Sequence, residues 1–276
     1  MVSRQQTLAH TITYRGTGLH TGVRVNLKIT PADPGTGIVF CRTDLIGQPC
    51  VKAEIANVVN TVRCTTLGVE GRFQIMTVEH LMAAFNGLGV DNAVVELDNG
   101  EVPVADGSAA VWVRLIQKAG IVQQEAEREE LAITKPVWVE SGRARLIALP
   151  AEELQVSYLF TSEHHLVGNQ FGEYKVNSKT FIHEIAPART LAFEHEIKHL
   201  REQGLALGGS LEIAVVIGED RYLSQRRFPD EVVRHKALDL IGDLGLLGRV
   251  KGHIIGFRSG HSLNVALGHK ILETIG

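Results

Sequence analysis

Nowhere in the chain does an apolar run approach the roughly 18–20 residues that a helix needs to cross a bilayer, so no membrane span is expected. The opening MVSRQQTLAHTITYRG lacks the continuous apolar core of a secretory signal, which makes the cytoplasm the expected location. Cysteine is scarce: Cys41, Cys50 and Cys64, with no CxxC spacing. Three thiols in a reducing compartment read as free rather than as a disulfide frame, and a thiolate-type structural zinc is not expected from them. Any metal must then be held by histidine and carboxylate. A basic excess is lacking too. With 28 Lys and Arg against 31 Asp and Glu, the net charge of −3 argues against a nucleic-acid binder. An anionic ligand has to be caught by a few placed cations.

What is present is the composition of an ordinary globular enzyme, 44% hydrophobic and 21% charged, in 276 residues that suit one large or two medium domains. Strand-like alternation opens the chain, in VRVNLKIT (23–30) and GIVFCR (37–42). A helix is expected over about 76–87, with Thr77 as N-cap, an apolar stripe of Val78, Leu81, Met82 and Phe85, and Gly87 and Gly89 as stops. AVVEL (93–97) reads as a strand, and a second helix starts near Ser108. QQEAEREEL (123–131) carries no hydrophobic period and reads as a linker or a solvated helix end. Strands follow in WVESGRARLIALP and LQVSYLF, then a polar, irregular stretch over 164–180 that looks like an insertion. A helix over about 193–203, a strand in LEIAVVIG and a long helix from about 229 to 247 complete the pattern. Both halves end alike, as helix, glycine stop, strand, glycine turn and helix. An internal duplication is one reading of this, and chance repetition of α/β units is the other. Duplication would give two similar sheet-plus-helix layers with a cleft between them.

The segment VVRHKALDLIGDLGLL (232–247) is the most informative. On a helix His235 and Asp239 lie at i and i+4 and project from one face, with Asp243 a further turn along. Such a pair can share a metal, and it can equally be a surface His–Asp pair. In TVEHL (77–81), Glu79 and His80 point about 100° apart on a helix, so they could serve one metal in different roles, histidine as ligand and carboxylate as base. His80, His235, Asp239 and Glu79 make the inventory of a hydrolytic zinc site: three ligands, an open position and a carboxylate beside it. His261 in FRSGHSLN stands in a glycine-containing turn before a helix, expected exposed, where it could donate a proton to a leaving amine with Asp243 orienting it. GTGLHTG (16–22) reads first as a turn. His164–His165 and His195/His199 are weaker metal candidates without a third ligand.

In order along the chain, GTGLHTG, TVEHLMAAFNGLGVDN, the DGSA turn, PART, GLALGGS, VRHKALDLIGDL and SGH resemble the zinc-dependent UDP-3-O-acyl-N-acetylglucosamine deacetylases of bacterial lipid A synthesis, nearly end to end. The resemblance implies an α+β fold of two similar two-layer α/β sandwich domains, 1–125 and 126–276. Each carries a small insert, the second at about 164–185 walling an acyl chain, and the active site lies between the layers. It implies zinc on His80, His235 and Asp239, with iron(II) accepted by the same donors. It also implies Glu79 as general base and His261, steadied by Asp243, as general acid. Thr190 would be the oxyanion donor and Lys236 the partner of a diphosphate. His20, Phe193, Ile197 and Gly209 match positions near the substrate. The family often has an aromatic residue directly after the threonine, and here Leu191 stands there, which leaves Phe193 as the nearby ring. The implied substrate is a small molecule and the implied state a monomer. Two other readings fit the same residues: a zinc amidase acting on another acylated substrate, and a non-catalytic sugar-nucleotide binding protein.

Overall fold

The computed structural model describes residues 3–275. The outermost residues of the two expected ranges, 1–2 and 276, lie outside it. In the first half, five strands form one sheet in the spatial order Ile12–Thr17, Arg24–Pro31, Ala93–Leu97, Ile38–Arg42, Cys50–Lys52. Alternation does the work expected of it. Val25, Leu27 and Ile29 point into the core while Arg24, Asn26 and Lys28 face out, as period-two side chains must.

In the second half the sheet runs Val137–Ser141, Ala144–Leu149, Arg249–Phe257, Leu154–Thr161, Asn169–Lys175, with Glu130–Ala132 pairing alongside Arg249–Phe257. Both five-strand orders read first, second, fifth, third, fourth along the chain. In each, the central last strand runs parallel to the third and antiparallel to the second. Each central strand is entered from a helix and left into a helix. The architecture is α+β.

The helices are α1 (Glu79–Leu88), α2 (Ala110–Ala119), the single turn α3 (Ser178–Thr180), α4 (Glu194–Glu202), α5 (Glu231–Leu244) and α6 (His261–Ile275). Helices α1 and α5 pack on one another, and their buried Leu81, Phe85, Leu238 and Ile241 join both sheets' inner faces in one hydrophobic core. The contact is backbone-close at Gly242. A Cβ there would overlap the carbonyl oxygen of Glu79 and lie 2.9 Å from its carbonyl carbon.

Several sequence expectations change. Thr77 does not cap α1: its φ is +59°, its hydroxyl donates to Glu101 (2.9 Å), and the helix begins at Glu79 after Val78. Gly89 does end α1, in the left-handed conformation with its N–H on Phe85. Gly87 lies inside the helix, where the Phe181 ring covers it. The 123–131 stretch is neither linker nor helix, because Ile121–Glu127 pairs with Arg4–Leu8 and Glu130–Ala132 joins the second sheet. Its outward polar side chains hid the pairing. Within the irregular stretch, Asn169–Lys175 is an edge strand of the main sheet, its alternation thinned by Gly172. Cys41 and Cys50 are not free thiols. The Ile38–Arg42/Cys50–Lys52 register sets them directly opposite, and they form a disulfide, while Cys64 is free and buried.

Gly242→Ala should force α1 and α5 apart. Overpacking of this kind typically costs about 1–3 kcal/mol, which a chemical denaturation midpoint would register. An unchanged midpoint would mean that the helices yield freely.

Candidate metal centre and active site

Helix α5 carries Glu231, His235, Asp239 and Asp243 at successive four-residue steps, and all four are buried. Burial rules out the surface-pair reading of His235 and Asp239. Across the helix contact, α1 presents Glu79 and His80 from its first turn, also buried. His80 Nε2 lies 3.7 Å and His235 Nε2 3.3 Å from Asp239 Oδ1. Two ligands bound at about 2.0–2.2 Å to one tetrahedral centre stand about 3.4 Å apart, so these spacings suit a shared ion. Among the described residues, this is the one group of three or more His, Cys, Asp or Glu side chains converging in this way. His164–His165 stack on each other at 5.0 Å, and His199 bonds Gln203, so neither alternative pair builds a site.

The donor chemistry fits a cation. His235 Nδ1 lies 3.1 Å from the carbonyl of Ala188, which assigns its proton to Nδ1 and leaves the Nε2 lone pair facing Asp239. Burial pushes His235 down to about 3 against the opposing pull of Asp239, so it is neutral, as a ligand must be. Asp239 would be raised by burial alone, yet the Lys236 ammonium beside it holds it well below the usual carboxylate range. Its Oδ2 accepts from Lys236 Nζ at 2.5 Å, and its Oδ1 is buried with no hydrogen-bond partner. A buried anionic oxygen left unpaired is costly unless a cation meets it.

Glu79 accepts a hydrogen bond from the Thr65 N–H (3.0 Å), and burial raises its pKa despite His261 and His80 nearby. His261 is not exposed in a turn. It is the first residue of α6, with its side chain 10% accessible and its Nδ1 2.8 Å from Asp243 Oδ2. Burial would lower it, but the charge and hydrogen bond of Asp243, with Glu79 and Asp239 beyond, lift it to about 9. Asp243 also accepts from the Thr65 hydroxyl (2.5 Å) and from Asn264 Nδ2 (2.8 Å). Sequence reading missed Thr65 and Asn264. Asn264 sits three residues after His261 on one helix face and could have been found by spacing, whereas Thr65 carries no local signal.

A cavity of about 520 Å³ opens onto Glu79, His80, His235, Lys236, Asp239 and His261, with Thr190 and Phe193 on its wall. A second, smaller cavity of about 190 Å³ shares Leu19, Arg63 and Thr190 with it. It holds His20, Ile197 and Gly209 beside the apolar Leu200, Leu211 and Val216. No residue of 164–185 lines either cavity. Lys236, expected at a diphosphate, is anchored on Asp239 but remains on the cavity wall. Glu101, also missed, accepts from the backbone N–H groups of His20 and Thr21 (both 2.8 Å) and from Thr77, tying the GTGLHTG turn to the start of α1. A separate cavity of about 470 Å³, lined by Phe85, Asn86, Arg128 and Leu272, holds none of the expected site residues.

The His261–Asp243 pair has a signed consequence. With a folded pKa near 9 against an ordinary 6.5, the protonated ring favours the folded state. That contribution is complete below about pH 6.5 and is lost as pH rises through about 9. Asp243→Asn removes the principal anion, so the His261 titration, followed by NMR in metal-free protein, should move to lower pH. An unmoved titration would detach Asp243 from this role.

Comparison with known proteins agrees with this geometry. The profile of the LpxC family, UDP-3-O-acyl N-acetylglycosamine deacetylase, matches residues 5–273. A UDP-3-O-acyl-N-acetylglucosamine deacetylase of Syntrophotalea carbinolica is 45% identical over 271 residues, covering 97% of this chain and 87% of that protein. The proteins of the same name from Chlamydia abortus and Trichormus variabilis are 44% and 41% identical, each covering 98% of both chains. Matched along almost its full length, with a buried two-histidine, one-carboxylate cluster at the helix contact, the chain belongs to the UDP-3-O-acyl N-acetylglycosamine deacetylase family.

Proposed function

We propose that this chain hydrolyses the N-acetyl group of UDP-3-O-acyl-N-acetylglucosamine to UDP-3-O-acyl-glucosamine and acetate, the committed step of lipid A biosynthesis. The observation that carries the reading is the convergence of His80, His235 and Asp239 on one cavity wall, with Glu79 and His261 beside them. We assign zinc to that trio, although the same donors accept iron(II). We further propose a monomer that works in the cytoplasm. Its two sandwich domains, 1–125 and 126–276, are supported by the strand order that the two sheets share.

When bound, the metal supplies Lewis acidity, polarising the acetamide carbonyl and lowering the pKa of water toward about 7. The rest falls to the chain's own residues. Glu79, its basicity raised by burial, takes the proton from the attacking water. The Thr190 hydroxyl, on the cavity wall, donates to the acyl oxygen as charge develops there. His261 enters protonated, because Asp243 holds the charge on the ring, and gives its proton to the departing sugar nitrogen. Lys236 has three N–H donors and commits one to Asp239, so it can still meet the diphosphate. The smaller cavity, with Ile197, Gly209 and His20, receives the acyl chain, and Phe193 offers a ring near the nucleotide.

Purified protein should release acetate from this substrate, lose the activity to a chelator and regain it with zinc. Glu79→Ala, with metal still bound, should lower kcat by about 10²–10⁴-fold. Thr190→Ala should lower it by about 10²–10³-fold, the range for a lost oxyanion donor. Full turnover by Glu79→Ala with the metal in place would remove the base assignment.

A further inference from the structure

The segment Ala188–Arg189–Thr190 touches the proposed site at both ends. Ala188 offers its carbonyl to His235 Nδ1 (3.1 Å), and Thr190 lines the cavity. Backbone bonds hold Thr190 from two sides: its N–H donates to Gly107 (2.8 Å), and its carbonyl accepts from Val215 (2.8 Å). Arg189, between them, does not face the cavity. Its side chain is 6% accessible and pairs with Glu231, which is fully buried.

The pairing is dense. Arg189 Nε donates to Glu231 Oε1 at 2.9 Å and its backbone N–H to the same oxygen at 3.1 Å. The guanidinium also donates to the carbonyls of Gln225 and Glu212 (3.3 Å for the latter), and Glu231 Oε2 accepts from the Arg227 N–H (2.6 Å). Glu231 is the first residue of α5 and lies one turn before His235 on the same face. A buried carboxylate at a helix start also meets the favourable end of the helix dipole.

From this arrangement we infer that Arg189 and Glu231 are positioning residues that lock the 188–190 segment in register with α5. They thereby fix the tautomer and aim of His235 together with the place of the Thr190 hydroxyl. Neither residue touches the reacting atoms. Arginine suits the task because its planar fork spans a carboxylate and neighbouring carbonyls at once, which a lysine ammonium cannot reproduce. If the lock loosens, the second-layer bond to His235 and the oxyanion donor shift together. Loss of comparable outer bonds to ligands weakens metal binding by about 10–100-fold.

This inference rests on the deacetylase reading, and the test separates the two. Wild type, Arg189→Lys and Glu231→Gln are compared for metal dissociation constant by chelator competition, kcat, KM and Tm. Arg128→Lys, in the Asp91 ion pair away from the cavity, serves as a control for stability loss alone. Arg189→Lys should raise the metal dissociation constant about tenfold or more. It should lower kcat by up to about 10²-fold with KM little changed, since misplacement acts on the chemical step. Arg128→Lys should lower Tm without moving those quantities. If Arg189→Lys does not fold, Glu231→Gln, which keeps the shape and removes the charge, decides by the same readings. Wild-type metal affinity and kcat in a folded Arg189→Lys or Glu231→Gln protein would overturn the positioning role. Wild-type protein that takes up no metal and releases no acetate would instead overturn the deacetylase reading.

Discussion

Two helices from opposite halves of the chain meet backbone to backbone where Gly242 faces the carbonyl of Glu79. The site is a product of that approach. His80 comes from one helix and His235 and Asp239 from the other, so their spacing is set by the distance between helix axes rather than by any loop. Close packing makes this distance stiff, because a core at crystal-like density gives little when one element moves. The ends of the contact are tied as well. Arg249 reaches from the second sheet to Asp91 (3.1 Å) and to the last carbonyls of α1, including that of Asn86.

Within this frame, the proposed reading gives three buried carboxylates different tasks, set by their surroundings. Asp239 is held ionised by the Lys236 ammonium and keeps one oxygen unpaired. Asp243 spends its oxygens on Thr65, His261 and Asn264, and its charge keeps the His261 ring protonated. Glu79 accepts one backbone hydrogen bond and is raised by burial, which makes it the stronger base. On the proposed reading, a ligand, an orienting group and a proton acceptor thus arise from one chemical group in three environments.

Much of this was legible in the sequence because it is periodic. The i, i+4 spacing of His235 and Asp239 sits on one helix, and the alternation of VRVNLKIT falls on a strand. What stayed hidden depends on partners far along the chain. Ile121–Glu127 is a strand only because Arg4–Leu8 lies beside it, and its polar side chains show no apolar period. Thr65 matters through Asp243, 178 residues away, and Thr77 through Glu101. The burial of His261 could not be read from a glycine-containing turn, since Thr65 and Asp243 meet it only once the chain is folded. The Cys41–Cys50 pair depends on strand register, which cysteine counting ignores.

The central claim is that His80, His235 and Asp239 hold one metal ion between the two helices. X-ray absorption at the zinc edge of protein loaded with one equivalent of zinc tests it directly. The account predicts a first shell of nitrogen and oxygen at about 2.0–2.2 Å with the multiple scattering of two imidazoles. Sulfur at about 2.3 Å, pointing to a cysteine such as Cys64, or a single imidazole, would contradict it.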